Sequence, residues 1–287
     1  MAEIIVEQLR HVYSTGTPFE VAAIEDIDLT IPQGQLVGII GHTGSGKSTL
    51  LQALDGLIKP SDGEIIIDGI SLTDKETSLV DVRKRVGIVF QYPEYQLFEE
   101  TVAKDVSFGP SNLGLEGDEL EAAVRSSIEL VGLDYERIKD KSPFELSGGQ
   151  KRRVAIAGVI AMNPGILILD EPTAGLDPTA HKEILSMVKR IHETRNIIIV
   201  FVSHNMGDVA DMCDKVLVMN EGRIILDGTP RYVFGQKDVL DEIGLGVTPA
   251  AEIVGRIRER IPEIDSDVLS MEEAAASLAE FIKRKRS

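Results

Sequence analysis

The sequence predicts an α/β fold built on a parallel sheet with helices over its faces. Three observations carry that reading. A strand-like run at residues 35–40 leads through a glycine-rich loop into a helical run at 49–54. Apolar runs of strand length at 165–169, 197–202 and 215–219 alternate with helical stretches, the pattern that builds parallel sheets. Between these regions, residues 93–163 lose the strand pattern and read as helical, which predicts an inserted helical subdomain.

Taken in order, the N-terminal part is β-rich, with strands predicted at residues 4–6, 24–31, 35–40, 64–67 and 86–90. The turn clusters Pro32-Gln33-Gly34 and Pro60-Ser61-Asp62-Gly63 punctuate them. In the inserted segment the clearest amphipathic stretch is 119–131, and a helix is predicted at 181–194 between the later strands. After Gly228 the pattern turns helical again, at 231–243, 248–260 and 271–285, with loops at Gly244-Leu245-Gly246 and Pro262-Glu263. The organisation is therefore a main domain at 1–230, with its helical insertion at about 93–163, and a C-terminal helical appendage at 231–287.

Composition narrows the function. With 43% hydrophobic and 27% charged residues the chain is able to bury a core and fold by itself. A formal net charge of −17 argues against a nucleic-acid surface, since a polyanion needs clustered Lys and Arg, so no nucleic-acid partner is expected. The basic run Lys283-Arg284-Lys285-Arg286 reads as a solvated tail. No apolar run has the length of a membrane-spanning helix, and the acidic start Met1-Ala2-Glu3 lacks the form of a secretory leader. A lone cysteine, Cys213, fits a reducing compartment and reads as a packing residue.

The chemistry concentrates at Gly41-His42-Thr43-Gly44-Ser45-Gly46-Lys47-Ser48, which fits the phosphate-binding pattern G-x-x-x-x-G-K-[ST] between a strand and the helix that begins near Thr49. Its glycines let backbone N–H groups close on phosphates at a helix N-terminus. Lys47 adds a cation for the β- and γ-phosphates, and the Ser48 hydroxyl is a Mg²⁺ ligand. ATP and Mg²⁺ are therefore the expected cofactors. A second centre is the apolar run 166–169 that ends in Asp170-Glu171. Asp170 suits the metal, directly or through water, and Glu171 suits activation of the attacking water. A third is Leu146-Ser147-Gly148-Gly149-Gln150, where two glycines follow a serine at the head of a helix and form another anion-receptive N-terminus. One nucleotide does not need two cradles in one chain. If two chains pair head to tail, each Ser147 cradle closes on the phosphate held by the partner's Lys47.

These residues resemble the ATP-binding-cassette (ABC) ATPases, in which LSGGQ is followed by the Asp170-type carboxylate 20 residues after Gln150. The resemblance covers about residues 3–235 and implies a P-loop NTPase fold of the ABC type. It also implies roles for further residues. Gln91 resembles the Q-loop glutamine that links Mg²⁺ to the transporter, Asp177 belongs to a D-loop, His204 resembles the switch histidine at the γ-phosphate, and Tyr13 resembles the residue stacked on adenine.

The stretch from Gln91 through Leu97-Phe98 to Asp105-Val106-Ser107-Phe108-Gly109-Pro110 is similar to energy-coupling factor (ECF) ATPases of vitamin and metal-ion importers, and the segment Gly16-Thr17-Pro18-Phe19-Glu20 with the block from Asp170 to Pro178 resembles the second ATPase of their pair. That resemblance implies a second ATPase subunit, as heterodimer or homodimer, beneath a transmembrane coupling protein and a substrate-binding membrane subunit. It places the chain at the cytoplasmic face of a bacterial or archaeal membrane and leaves selection of the substrate to another subunit. It also implies a groove near Glu94, Leu97, Phe98, Glu99 and Glu100 for a basic segment of the coupling protein. A soluble ABC ATPase without a membrane partner is the alternative, and a P-loop switch or kinase is disfavoured because LSGGQ has no role there.

Overall fold

The computed structural model describes residues 3–74, 76–265 and 267–286, the side chain of Arg286 excepted. The N-terminal strands β1 (Glu3–Tyr13) and β2 (Val21–Pro32) form a long antiparallel pair. After β3 (Leu36–Ile40) and helix α1 (Lys47–Leu54), strands β4 (Asp62–Ile67) and β5 (Ile70–Ser71) complete an antiparallel sheet of order β2-β1-β4-β5. Strand β1 runs well beyond the predicted 4–6. Its register slips between Val6 and Leu9 and again near His11, and such bulges break the alternation by which a strand is recognised. Tyr13 consequently ends a strand, paired with Val21.

Beyond the short helix α2 (Leu79–Arg83), strand β6 (Val86–Val89) leads into the helical subdomain. This comprises α3 (Val102–Asn112), α4 (Gly117–Leu130), α5 (Tyr135–Ile138) and α6 (Gly148–Ile160). The chain returns through β7 (Ile166–Asp170), α7 (Pro178–Arg195), β8 (Ile198–Val202), α8 (Met206–Met212), β9 (Lys215–Asn220) and β10 (Arg223–Gly228). The second sheet has the order β10-β9-β3-β8-β7-β6, parallel except for β10. Strand β10 was not predicted from sequence: it lies at the sheet edge, its Arg223, Ile225 and Asp227 positions are exposed and none of its residues is fully buried, so its apolar signal is weak.

Side chains on this sheet alternate between two cores. Leu167 and Leu169 of β7 and Ile199 and Phe201 of β8 face the side covered by α3, α4, α6 and α7. Ile166, Ile168, Ile198 and Val200 face α1 and the antiparallel sheet. Burial on both faces explains the uninterrupted apolar runs, since a strand covered on one face would alternate with polar residues. Cys213 packs where Gly38 leaves space, 2.9 Å from the position a Cβ would take, and burial raises its thiol pKa far above the ordinary range.

The predicted helix 231–243 is two helices, α9 (Pro230–Gly235) and α10 (Lys237–Glu242), because Gln236 leaves the helical region at ψ 51°. Val233, Phe234 and Leu240 join the main core, whereas α11 (Pro249–Arg258) and α12 (Met271–Arg286) build a separate cluster with Ala250, Val254, Ile264, Val268 and Ala274.

Candidate functional site

Strand β3 is flanked by β8 and β9, so its C-terminal end opens at the middle of the parallel sheet, where α/β folds place ligands. The loop that follows it reaches α1 through Gly46, whose φ of +101° is left-handed and whose Cβ, if present, would lie 2.7 Å from the Ala23 carbonyl oxygen. No residue but glycine fits there without displacing β2. Gly44, at φ +84°, has open space above it, so a ligand is able to approach the bare backbone. The Lys47 ammonium is mostly buried and donates to the carbonyl oxygens of Gly41 at 2.6 Å and His42 at 2.8 Å. Its pKa is lowered by burial, against the pull of Glu171 and Asp170.

A cavity of about 580 Å³ opens over this loop. Thr43, Gly44, Gly46, Lys47, Ser48 and Thr49 form one wall. Gln91, Asp170, Glu171 and His204 form the facing wall. Asp170 ends β7, and Glu171 follows at φ +50°, a left-handed conformation held by its N–H donating to the Val202 carbonyl at 3.1 Å. That turn aims the carboxylate across the sheet end. Glu171 Oε1 is buried, lies 3.2 Å from His204 Nε2 and has no aligned hydrogen bond. Burial raises the pKa of Glu171, with the His204 side chain as the leading opposing influence, and burial likewise raises that of Asp170 against Lys47. A buried carboxylate with an unused lone pair and a raised pKa has the properties of a general base for water.

The oxygens of Ser48, Gln91 and Asp170 share this cavity with the Lys47 ammonium, and burial disfavours the Asp170 carboxylate. Hard oxygen donors, few in number and with room for water and phosphate, fit Mg²⁺, which keeps much of its hydration shell.

The other candidate residues lie elsewhere. Ser147 caps α6, its hydroxyl accepting from Gln150 N–H at 3.3 Å while Gln150 Oε1 accepts from Ser147 N–H at 3.1 Å. Gln150 is thus committed to a capping box. Ser147 and Gly148 are exposed, Gly149 is partly so, and none of them lines the cavity of their own chain. Asp177 caps α7 by accepting from Thr179 and Ala180 N–H, also outside that cavity. Tyr13 stands at its margin: the hydroxyl lies 3.4 Å from Thr49 Oγ1 and the ring meets His11 edge-on at 4.6 Å. Gly41 and Ser45 are buried beneath the loop and His42 is half-buried beside it.

The ABC transporter family model matches residues 24–174. Two bacterial relatives, each called energy-coupling factor transporter ATP-binding protein EcfA2, match over nearly the whole length. That of Clostridioides difficile is 54% identical over 98% of both chains, and that of Caldanaerobacter subterraneus 55% identical over 98% of both. The chain belongs to the ECF transporter ATP-binding proteins of the ABC family. Among solved structures, cbiO1 from Clostridium perfringens, described as part of the ABC transporter complex cbiONQ, is 40% identical with a TM-score of 0.75, covering 89% of this chain and 98% of that one. The dimeric cassette MJ0796 bound to ADP and Pi is 29% identical with a TM-score of 0.69, covering 79% of this chain and 98% of the other. The chain is accordingly an ATPase subunit of an ECF transporter.

In this ATPase the segment after Gln91 departs from the expected groove. Glu94 is not displayed for a partner: both its oxygens accept from Arg152, at 2.9 Å from Nε and 2.6 Å from Nη2. Arg152, 1% exposed, also donates to the carbonyl oxygens of Pro172 and Ala174. Leu97 is buried against the helical subdomain. Of the five residues expected at the groove, Phe98 is the exposed apolar one, stacked edge-on with Phe108 at 5.0 Å, while Glu99 is half-buried and Glu100 pairs with Lys104; Tyr92 and Tyr95 nearby are exposed as well. An Arg buried in the middle of a helix gives no sequence signal of its partner 58 residues away.

Sequence reasoning missed part of the cavity wall. Val21, Ala22 and Ala23 of β2 and the turn Glu221-Gly222 also line it. Gly222 N–H donates to the Ser45 carbonyl at 3.0 Å, and its own carbonyl accepts from Glu25 N–H at 2.9 Å. The one signal in the sequence is the glycine after Glu221, required by φ +78° where a Cβ would press on Ala23.

Proposed function

We propose that this subunit hydrolyses MgATP at composite sites formed head to tail with a second ATPase subunit, homologous or identical. In this reading it drives a membrane importer of a vitamin or transition-metal ion. The observation that supports this most is the separation of Ser147 and Gly148, exposed at the head of α6, and the partly exposed Gly149 from the cavity that holds Lys47 and Glu171. A cradle turned away from its own nucleotide has a use in a partner's. Within each site Lys47 and the loop 41–46 hold the phosphates, Tyr13 covers the adenine, and Ser48, Asp170 and Gln91 hold Mg²⁺, which neutralises phosphate charge when bound. Glu171 takes the proton of the attacking water, and His204 orients Glu171 and the γ-phosphate. Asp177 belongs to the contact between the two subunits.

Mixing variants tests the arrangement. Lys47→Ala is expected to weaken nucleotide binding in the isolated chain, and Ser147→Ala to leave it unchanged while lowering activity of the assembled dimer by about 10²-fold, the scale for losing one donor at a transition-state oxyanion. Equal binding defects of the two isolated variants would refute the head-to-tail site.

Residues 231–287 serve as a contact appendage between the ATPase subunits, with the main domain at 1–230. The chain sits peripherally at the cytoplasmic face of a bacterial membrane; no helix among the described residues is long and apolar enough to cross one. Phe98 and Phe108, 58% and 49% exposed, supply the apolar contact for the coupling protein, with Glu100 at its rim. Replacing both aromatics by Ala is expected to weaken capture of the coupling protein about 30-fold, the scale of one interface hot spot. MgATP binding to the isolated subunit is expected to stay intact. Undiminished capture in a pull-down would place the docking surface elsewhere.

A further inference from the structure

A second cleft, of about 460 Å³, lies on the far side of α6, between its second turn, the end of α4 and the outer face of α7. In a chain of net charge −17 it is lined by three cations, Arg153, Lys182 and Arg190, and one carboxylate, Glu183. Their hydrogen bonds distinguish the committed side chains from the open ones. Arg153 donates to the carbonyl oxygens of Gly149 and Gly132, both at 3.4 Å, and pairs with Glu183 at 3.2 Å, so its fork is spent and Glu183 is neutralised. Arg190 uses only Nε, donating to the Leu130 carbonyl at 2.8 Å, which fixes the guanidinium over Gly132 and leaves its terminal nitrogens unbonded among the described residues. Lys182 makes no bond among the described residues, and Ser186 stands between the two. Lys182, Ser186 and Arg190 fall at i, i+4 and i+8 on one exposed face of α7. The backbone N–H groups at the head of α7 are already capped by Asp177 and play no part.

We propose that this cleft is a binding site for an oligophosphate, separate from the P-loop, with Arg190 as the bidentate contact and Lys182 and Ser186 as the second. Two positive side chains with free donors, one fixed by a backbone bond, match the planar and point-charge recognition that phosphate groups select. Eight residues along a helix separate them by about 12 Å, which long side chains close to the span of two linked phosphates more readily than to one. The site rests on the cleft between α4, α6 and α7 within one chain, and its argument does not use the head-to-tail reading.

The test is isothermal titration of inorganic pyrophosphate into the full chain carrying Lys47→Ala, which weakens the P-loop. Saturable binding is expected, weakened at least about tenfold when Lys182→Glu is added, because a reversed charge at contact distance repels the anion. Lys182 has no contact to lose, so its variant stays folded; Arg190→Gln is expected to act in the same direction. ADP titrated in parallel separates a nucleotide source from the free anion, since both carry two phosphates. No saturable pyrophosphate binding to the Lys47→Ala chain, or equal affinity with and without Lys182→Glu, would overturn the proposal.

Discussion

Glu171→Gln is expected to lower steady-state ATP turnover by at least ~10²-fold, the lower range for removing a general base, while ATP binding persists. The two side chains have the same shape, so the left-handed turn at φ +50° and the contact with His204 have no steric reason to change. What is lost is the basic lone pair: Oε1 is buried, 3.2 Å from His204 Nε2, and unused by any aligned hydrogen bond. Burial raises the carboxyl pKa, so in the parent enzyme the acid limb of the rate profile should lie above the ordinary glutamate range, and the variant should lack that limb. Phosphate release across pH, together with nucleotide binding to the isolated chain, measures both effects. Turnover near the parent rate would remove Glu171 from the role of base.

The second large effect is on stability. Glu94→Ala leaves the Arg152 guanidinium, 1% exposed, with the carbonyl oxygens of Pro172 and Ala174 as hydrogen-bond acceptors and the Tyr92 ring 5.8 Å away, but without its counter-charge. Stranding a buried charge costs about 3–5 kcal/mol. The two remaining acceptors favour the lower end, and the melting temperature should fall on the order of 10 °C. The double replacement Glu94→Leu with Arg152→Met should recover much of the loss, because an apolar pair of similar volume carries no desolvation penalty. Thermal melts of the three proteins decide the matter; a Glu94→Ala chain that melts with the parent would show the pair to be idle. The same contact links the segment after Gln91, the helix headed by Ser147 and the turn after Glu171, so its loss should also lower turnover without touching the P-loop.

The sheet strands and the P-loop's strand and helix are legible in the sequence because burial on both faces makes continuous apolar runs, and because glycine at 44 and 46 has a backbone reason to be there. The continuation of β1 beyond residues 4–6 and the whole of β10 are not, since bulges and an exposed edge weaken the apolar pattern. The break at Gln236 is a matter of one backbone angle that no side chain announces. Within the site, the loop, Asp170, Glu171 and His204 stand at strand ends where position alone suggests chemistry. Glu94 looks like surface charge in sequence because its partner Arg152 is reached only through the fold. The wall formed by Ala23 and Gly222 is likewise assembled only by the fold, with Gly222 itself the one trace of it in the sequence.

The bond from Gly222 to Ser45 has a consequence for the order in which the molecule assembles. Strand β3 is complete early in the chain, yet its neighbours in the sheet are β8 and β9, and the turn that braces the phosphate loop follows β9. Pairings of such long sequence separation form late, after the entropy of closing large loops has been overcome. During synthesis, which proceeds from the N-terminus, a nascent chain shorter than about the end of β10 has the glycines and Lys47 but lacks the strands and brace that hold them. The ability to grip nucleotide is therefore acquired near the end of the main domain's folding, so an incomplete chain has no means of engaging ATP before its own sheet is closed.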